Sequence, residues 1–151
     1  MNVYHHGKLE RIVIAGLTVL WGLTLMGCST SKPSMSFHPS SRKSESYGYL
    51  HTAEAQMGDT YNRDVKLTTT YVKGVRFDRG RWVTADGTPS ITRLYSSYIS
   101  CTMVLDREYG VIDPKVAIHE FKHAIMFSRP SKYPTTNDGQ HSIMKQKGCY
   151  P

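Results

Sequence analysis

The chain has 151 residues, a formal charge of +7 and 39% apolar residues. Its length suits one ordinary domain and excludes two large ones. Its basic residues are scattered between Lys32 and Lys147 beyond the first segment, with no clustered run and no aromatic-basic motif, so the charge describes a generally basic surface and no nucleic-acid groove is expected.

The first residues have the form of a secretory signal. Lys8 and Arg11 precede an apolar run over residues 12–26, and small residues follow. The run is shorter than the roughly twenty residues of a membrane-spanning helix, which disfavours an uncleaved anchor. It ends in Leu25-Met26-Gly27-Cys28, which resembles the lipobox of bacterial lipoproteins. The resemblance implies a signal peptide over residues 1–27, cleavage before Cys28, and acyl chains on that cysteine that hold it to the bilayer. Each buried methylene adds about 0.8 kcal/mol, so several chains on one residue anchor firmly. Ser29, rather than Asp, after the cysteine suggests the outer membrane, facing the periplasm. The remaining 124 residues carry a net charge of +6.

Two further cysteines, Cys101 and Cys149, would sit in an oxidising compartment, and a disulfide between them is expected, tying the tail to the middle of the domain. Two separate thiols are the alternative.

Residues 29–46, rich in Ser, Pro and Lys, read as a flexible, poorly ordered tether after the lipidated Cys28. The domain proper then spans residues 47–151. A short helix is expected over 47–57, ended by Gly58-Asp59. Over 64–72 the composition turns β-branched and aromatic, with Val65, Leu67, Thr69 and Tyr71 on one face of a strand. Residues 75–77 and 81–84 read as two short strands separated by Asp78-Arg79-Gly80, and 91–106 holds one or two more. Asp113 as cap and Pro114 at the first position open a helix over 114–128, which Pro130 and Pro134 prevent from continuing. The tail, 132–151, reads as turns without regular structure, Asn137-Asp138-Gly139 being the clearest. The fold class is therefore α+β: a small mixed or antiparallel twisted sheet packed on the 114–128 helix, with room for one further short helix.

That helix carries His119-Glu120-Phe121-Lys122-His123, the H-E-x-x-H pattern. Four residues is just over one turn, so both imidazoles project on one side and can reach a single Zn²⁺, while Glu120 points about a quarter turn away. Ala117, Phe121 and Ala124 form an apolar stripe opposite them. Zinc with neutral ligands acidifies a water, and a carboxylate takes its proton and passes it to a leaving amine.

From Cys101-Thr-Met-Val-Leu-Asp through His119-Glu-Phe-Lys-His123 the chain resembles the zincin metallopeptidases. The resemblance implies a sheet edge strand bordering a substrate cleft, a helix beneath it bearing two zinc ligands, His119 and His123, and the general base, Glu120. It also implies peptide substrates and a third ligand further along. The metzincin branch would place glycine at Met126 and histidine at Arg129, so its continuous signature is absent. His141-Ser142-Ile143-Met144 nevertheless resembles the metzincin Ser-Ile-Met turn, which makes His141 the expected third ligand, followed by Asp138 and then His51. Tyr133 and Tyr150 are candidates for stabilising the transition state.

The leading functional expectation is a zinc-dependent peptidase of the cell envelope, acting on a peptide or envelope protein. The alternatives are a lipoprotein whose zinc is structural, which four protein ligands would mark, and a partner-binding protein without metal.

Overall fold

The computed structural model describes residues 35–38 and 42–151. Cys28 and the motif that ends in it, like the whole 1–27 segment, lie outside these residues.

The mixed α+β architecture follows the alternation seen in the sequence. The elements, in chain order, are β1 (Met35–His38), α1 (Lys43–Met57), β2 (Lys66–Lys73), β3 (Arg76–Asp78), β4 (Arg81–Val83), β5 (Ile91–Leu94), β6 (Tyr98–Leu105), α2 (Pro114–Phe127) and α3 (Asn137–Gln146). The main sheet has the order β1-β2-β6-β5. Both β1 and β6 run parallel to β2, and β5 returns antiparallel to β6, with Thr92 opposite Cys101. The sheet is thus mixed, and β5 is an edge.

Residues 29–46 are not all tether. β1 pairs with β2 through Met35↔Leu67 to His38↔Thr70, and α1 begins at Lys43, four residues earlier than the composition suggests. Ser46 explains the second difference. Its hydroxyl is fully buried and bonded to that of Tyr71 on β2, so a residue type that signals a loop is satisfied inside the first turn of a helix. Gly58, left-handed at φ 63°, ends α1 as expected.

The core forms where the two long helices meet one face of the sheet. Leu67, Thr69 and Tyr71 alternate inward along β2, and Ile99, Cys101 and Met103 do so along β6. Against them pack Leu50, Ala53 and Met57 of α1 and Ala117, Phe121 and Ala124 of α2, the apolar stripe opposite the histidines. Phe121 is fully buried at this junction, and its replacement by alanine is expected to cost about 3–5 kcal/mol, read by chemical denaturation. A loss under about 1 kcal/mol would mean that α2 does not dock through this stripe.

Asp59 joins the segments after α1 and α2. Its Oδ2 accepts bonds from Lys132 Nζ at 2.7 Å and Tyr133 Oη at 2.8 Å, and Arg129 Nε lies 3.5 Å from Oδ1. Burial pushes this carboxyl up, but the bonds from Lys132 and Tyr133 outweigh it and hold the pKa at about 2. A folded pKa below the unfolded one means stability that is present above about pH 4 and is lost as pH falls towards 2. Asp59→Asn is expected to lose about 1–2 kcal/mol at neutral pH, with the gap to the wild type closing in acid. A gap independent of pH would contradict the charge as its cause.

The β3–β4 hairpin turns through Arg79 at φ 48° and Gly80 at φ 79°, the left-handed pair that a tight two-residue hairpin requires. Its base meets the end of β6, where Gly74 N donates to Leu105 O at 2.9 Å. A Cβ on Gly74 would sit 2.6 Å from that oxygen, so only glycine permits this approach.

Two expectations fail in the C-terminal part. The tail is not devoid of regular structure, because α3 occupies half of it. Asn137-Asp138-Gly139 forms the first turn of α3 rather than an isolated turn, with Thr136 extended before it and Asp138 suited to the positive end of the helix. Tertiary packing decides the outcome: Gln140 and Met144 are fully buried, and Gly139 lies so close to Pro134 that a Cβ would approach within 2.8 Å. Left-handed Gly148 closes the helix, with Gly148 N bonded to Lys145 O and Cys149 N to Met144 O.

The second is the disulfide: Cys101 and Cys149 are both free. Cys101 is buried on β6 with its sulfur 3.3 Å from Thr92 Oγ1, whereas Cys149 packs beside Met57 of α1 at 3.8 Å. Lys122 Nζ donates to the carbonyl of Cys149 and ties the tail to α2 without a covalent link.

Candidate metal centre

Asp113 caps α2 by accepting from Lys115 N at 2.8 Å, and Pro114 occupies its first turn, so the helix starts where the sequence places it. His119 and His123 follow on one side, and α3 brings His141 across from them. The three Nε2 atoms form a nearly equilateral triangle: 3.2 Å from His119 to His123, 3.1 Å from His123 to His141 and 3.2 Å from His141 to His119. Two nitrogens bound at 2.0–2.1 Å to a tetrahedral zinc stand about 3.3–3.4 Å apart, so the spacing suits one small cation with a fourth position left over. Among the described residues no further His, Cys, Asp or Glu joins this cluster.

Protonation favours the same reading. Burial, followed by the charges of the neighbouring imidazoles, lowers His119 to about 3. Burial lowers His123 to about 4 against the bond that its ring makes to the Gln140 oxygen, and it lowers His141 as well. Neutral rings present lone pairs. In His123 the tautomer is fixed, because Nδ1 lies 2.6 Å from Gln140 Oε1 while the amide nitrogen of Gln140 donates to Pro134 O at 2.9 Å. Nδ1 must then carry the proton, and Nε2 is left bare towards the other two rings. Such an outer partner is what orients a metal-binding imidazole. The bare Nε2 of His123 can accept from a neighbouring ring protonated on Nε2 or bind a cation, and with all three rings protonated on Nδ1 a single cation satisfies all three nitrogens. His119 Nδ1 is buried without a hydrogen-bond partner among the described residues.

Glu120, next to His119 in sequence, is buried and faces β5. Its Oε2 accepts from Thr92 Oγ1 at 2.7 Å, and the same hydroxyl lies 2.9 Å from its backbone oxygen and 3.3 Å from Cys101 Sγ. If the thiol donates to the hydroxyl, the one hydroxyl hydrogen is shared between the two Glu120 oxygens. Burial raises the Glu120 pKa to about 7, against the bonds of Thr92 and the charge of Arg81. A carboxyl at that value exchanges protons at neutral pH.

These groups share a cleft of about 950 Å³ between the edge strand β5, the β3–β4 hairpin, the loop before α2, and α3. Tyr150 lines it, its ring 5.6 Å from His119 and 5.2 Å from His141. Tyr133 does not reach it, since its hydroxyl is bonded to Asp59. Asp138 is exposed in the first turn of α3 and acts on His141 through its charge alone. His51 pairs with Glu54 on α1 at 3.0 Å, away from the triad. The segment Ser142-Ile143-Met144 is helical and not a turn, and Met144 serves the core.

Gln140, Thr92 and Arg81 were not identified from the sequence. Alternation along β5 turns Thr92 inward, but nothing local pairs it with Glu120, twenty-eight residues away. Gln140 adjoins His141 and reads as an ordinary polar residue until α3 is formed. No family model, curated protein or solved structure matches this chain.

Proposed function

We propose that the chain is a zinc-dependent metallopeptidase of the cell envelope, anchored through acylated Cys28 with its domain in the periplasm. The observation that carries this reading is the convergence of His119, His123 and His141 in the cleft that also holds Glu120. Zinc held there supplies a Lewis acid that acidifies water and polarises a carbonyl. Glu120 accepts the proton that water loses as its oxygen attacks the peptide carbonyl, and returns it to the amine as the carbon–nitrogen bond breaks. Thr92 holds the carboxylate in place, and Tyr150 is the phenol nearest the rings to donate to the developing oxyanion. The edge strand β5 offers backbone groups beside the cleft to an extended chain.

Three ligands with a fourth position free favour catalysis over a closed structural site. Among the described residues no helix is long and apolar enough to cross a membrane. Membrane attachment in this account comes from Cys28. Hydrolysis of a mixed set of fluorogenic peptides by the full chain is expected to stop on chelation and return with one equivalent of zinc. A zinc-loaded protein that cuts none of them would contradict the peptidase reading.

A further inference from the structure

Beyond the histidines the cleft lining is mixed, with Arg81, Asp106, Asp113 and Lys115 on it, and part of its wall is apolar. Val116 lies three residues before His119 and four before Glu120, on the same face of α2 and about 5–6 Å along the axis. Ile112 and Val111 approach from the loop before the helix, and Phe77 and Trp82 from the β3–β4 hairpin. Phe77 is 62% exposed and Val111 52%, while the rings of Phe77 and Trp82 meet edge to face at 5.6 Å. Single exposed apolar residues are ordinary, but here side chains from three separate segments converge on one wall continuous with the triad. The hairpin is joined to β6 by the close contact of Gly74 with Leu105, and its own two arms are extended by Val75 N donating to Val83 O at 2.9 Å.

We propose that this wall is a subsite for a large apolar side chain of a peptide substrate, adjoining the bond to be cut, with the β3–β4 hairpin as its specificity-determining element. The cutting rests on the peptidase reading given above; the binding does not. Trp82 is the only indole after residue 27, and changing Trp21 leaves it the only one in an uncleaved chain as well, which gives a direct signal. The test uses the zinc-loaded full chain carrying Trp21→Phe in mild detergent. It is titrated with a blocked hexapeptide bearing phenylalanine and leucine at its centre, and with the same peptide bearing two serines.

A saturable change in Trp82 emission is expected, with the apolar peptide binding at least about tenfold tighter. Phe77→Ser and Val111→Ser, both at exposed positions, should each erase most of that preference with zinc content unchanged. Equal binding of the two peptides, or an undiminished preference in both variants, would overturn the subsite. Apolar preference in a protein that cuts neither peptide supports the subsite and sinks the peptidase reading. Cleavage of both peptides with equal affinity does the reverse.

Discussion

Replacing Glu120 with glutamine is expected to lower peptide hydrolysis by about 10²–10⁴-fold while the zinc content stays at the wild-type level. The substitution is nearly isosteric and keeps an oxygen to accept the Thr92 bond of 2.7 Å, so the local geometry has little reason to change. What disappears is the group that exchanges a proton near neutral pH, where burial has placed the carboxyl at about 7. Stability should not fall, because an amide is cheaper to bury than a charge. Paired measurements of initial rate and bound metal separate a lost base from a lost site. An unchanged rate would remove Glu120 from the chemistry.

The second large effect concerns His123, the most buried of the three rings. Its replacement by alanine should leave no zinc that survives dialysis, since two imidazoles on two different helices cannot hold the ion as three do. Gln140→Ala should act through the same ring more gently, weakening zinc about 10–100-fold, because Nδ1–H then loses the acceptor that fixes its tautomer and orientation. Competition with a chromogenic chelator measures both affinities. If Gln140→Ala binds as the wild type does, the 2.6 Å contact does not position the ring.

The legible parts of this fold are those written in local periodicity or chain punctuation. Two-residue alternation marks β2, a capped start and Pro130 bound α2, and the four-residue interval puts His119 and His123 on one side. The parts that could not be read depend on partners distant in sequence. Asn137-Asp138-Gly139 signals a turn by itself, and becomes helix only because Gln140 and Met144 find buried places and Gly139 fits under Pro134. Ser46 belongs to a helix because Tyr71 receives its hydroxyl. The expected disulfide fails for the same kind of reason: a count of two thiols and an expected oxidising compartment suggest a pair, but β6 and the tail direct them to different neighbours. His141 could be singled out from its surroundings in the sequence, whereas the helix that presents it could not.

The most direct test of the central claim is metal analysis by mass spectrometry on the full chain, purified without chelators and supplied with zinc. About one zinc per chain, lost in both His119→Ala and His141→Ala, is the predicted result. Absence of zinc from the folded wild-type protein, or retention of the full amount in His141→Ala, would contradict a metal centre built from His119, His123 and His141.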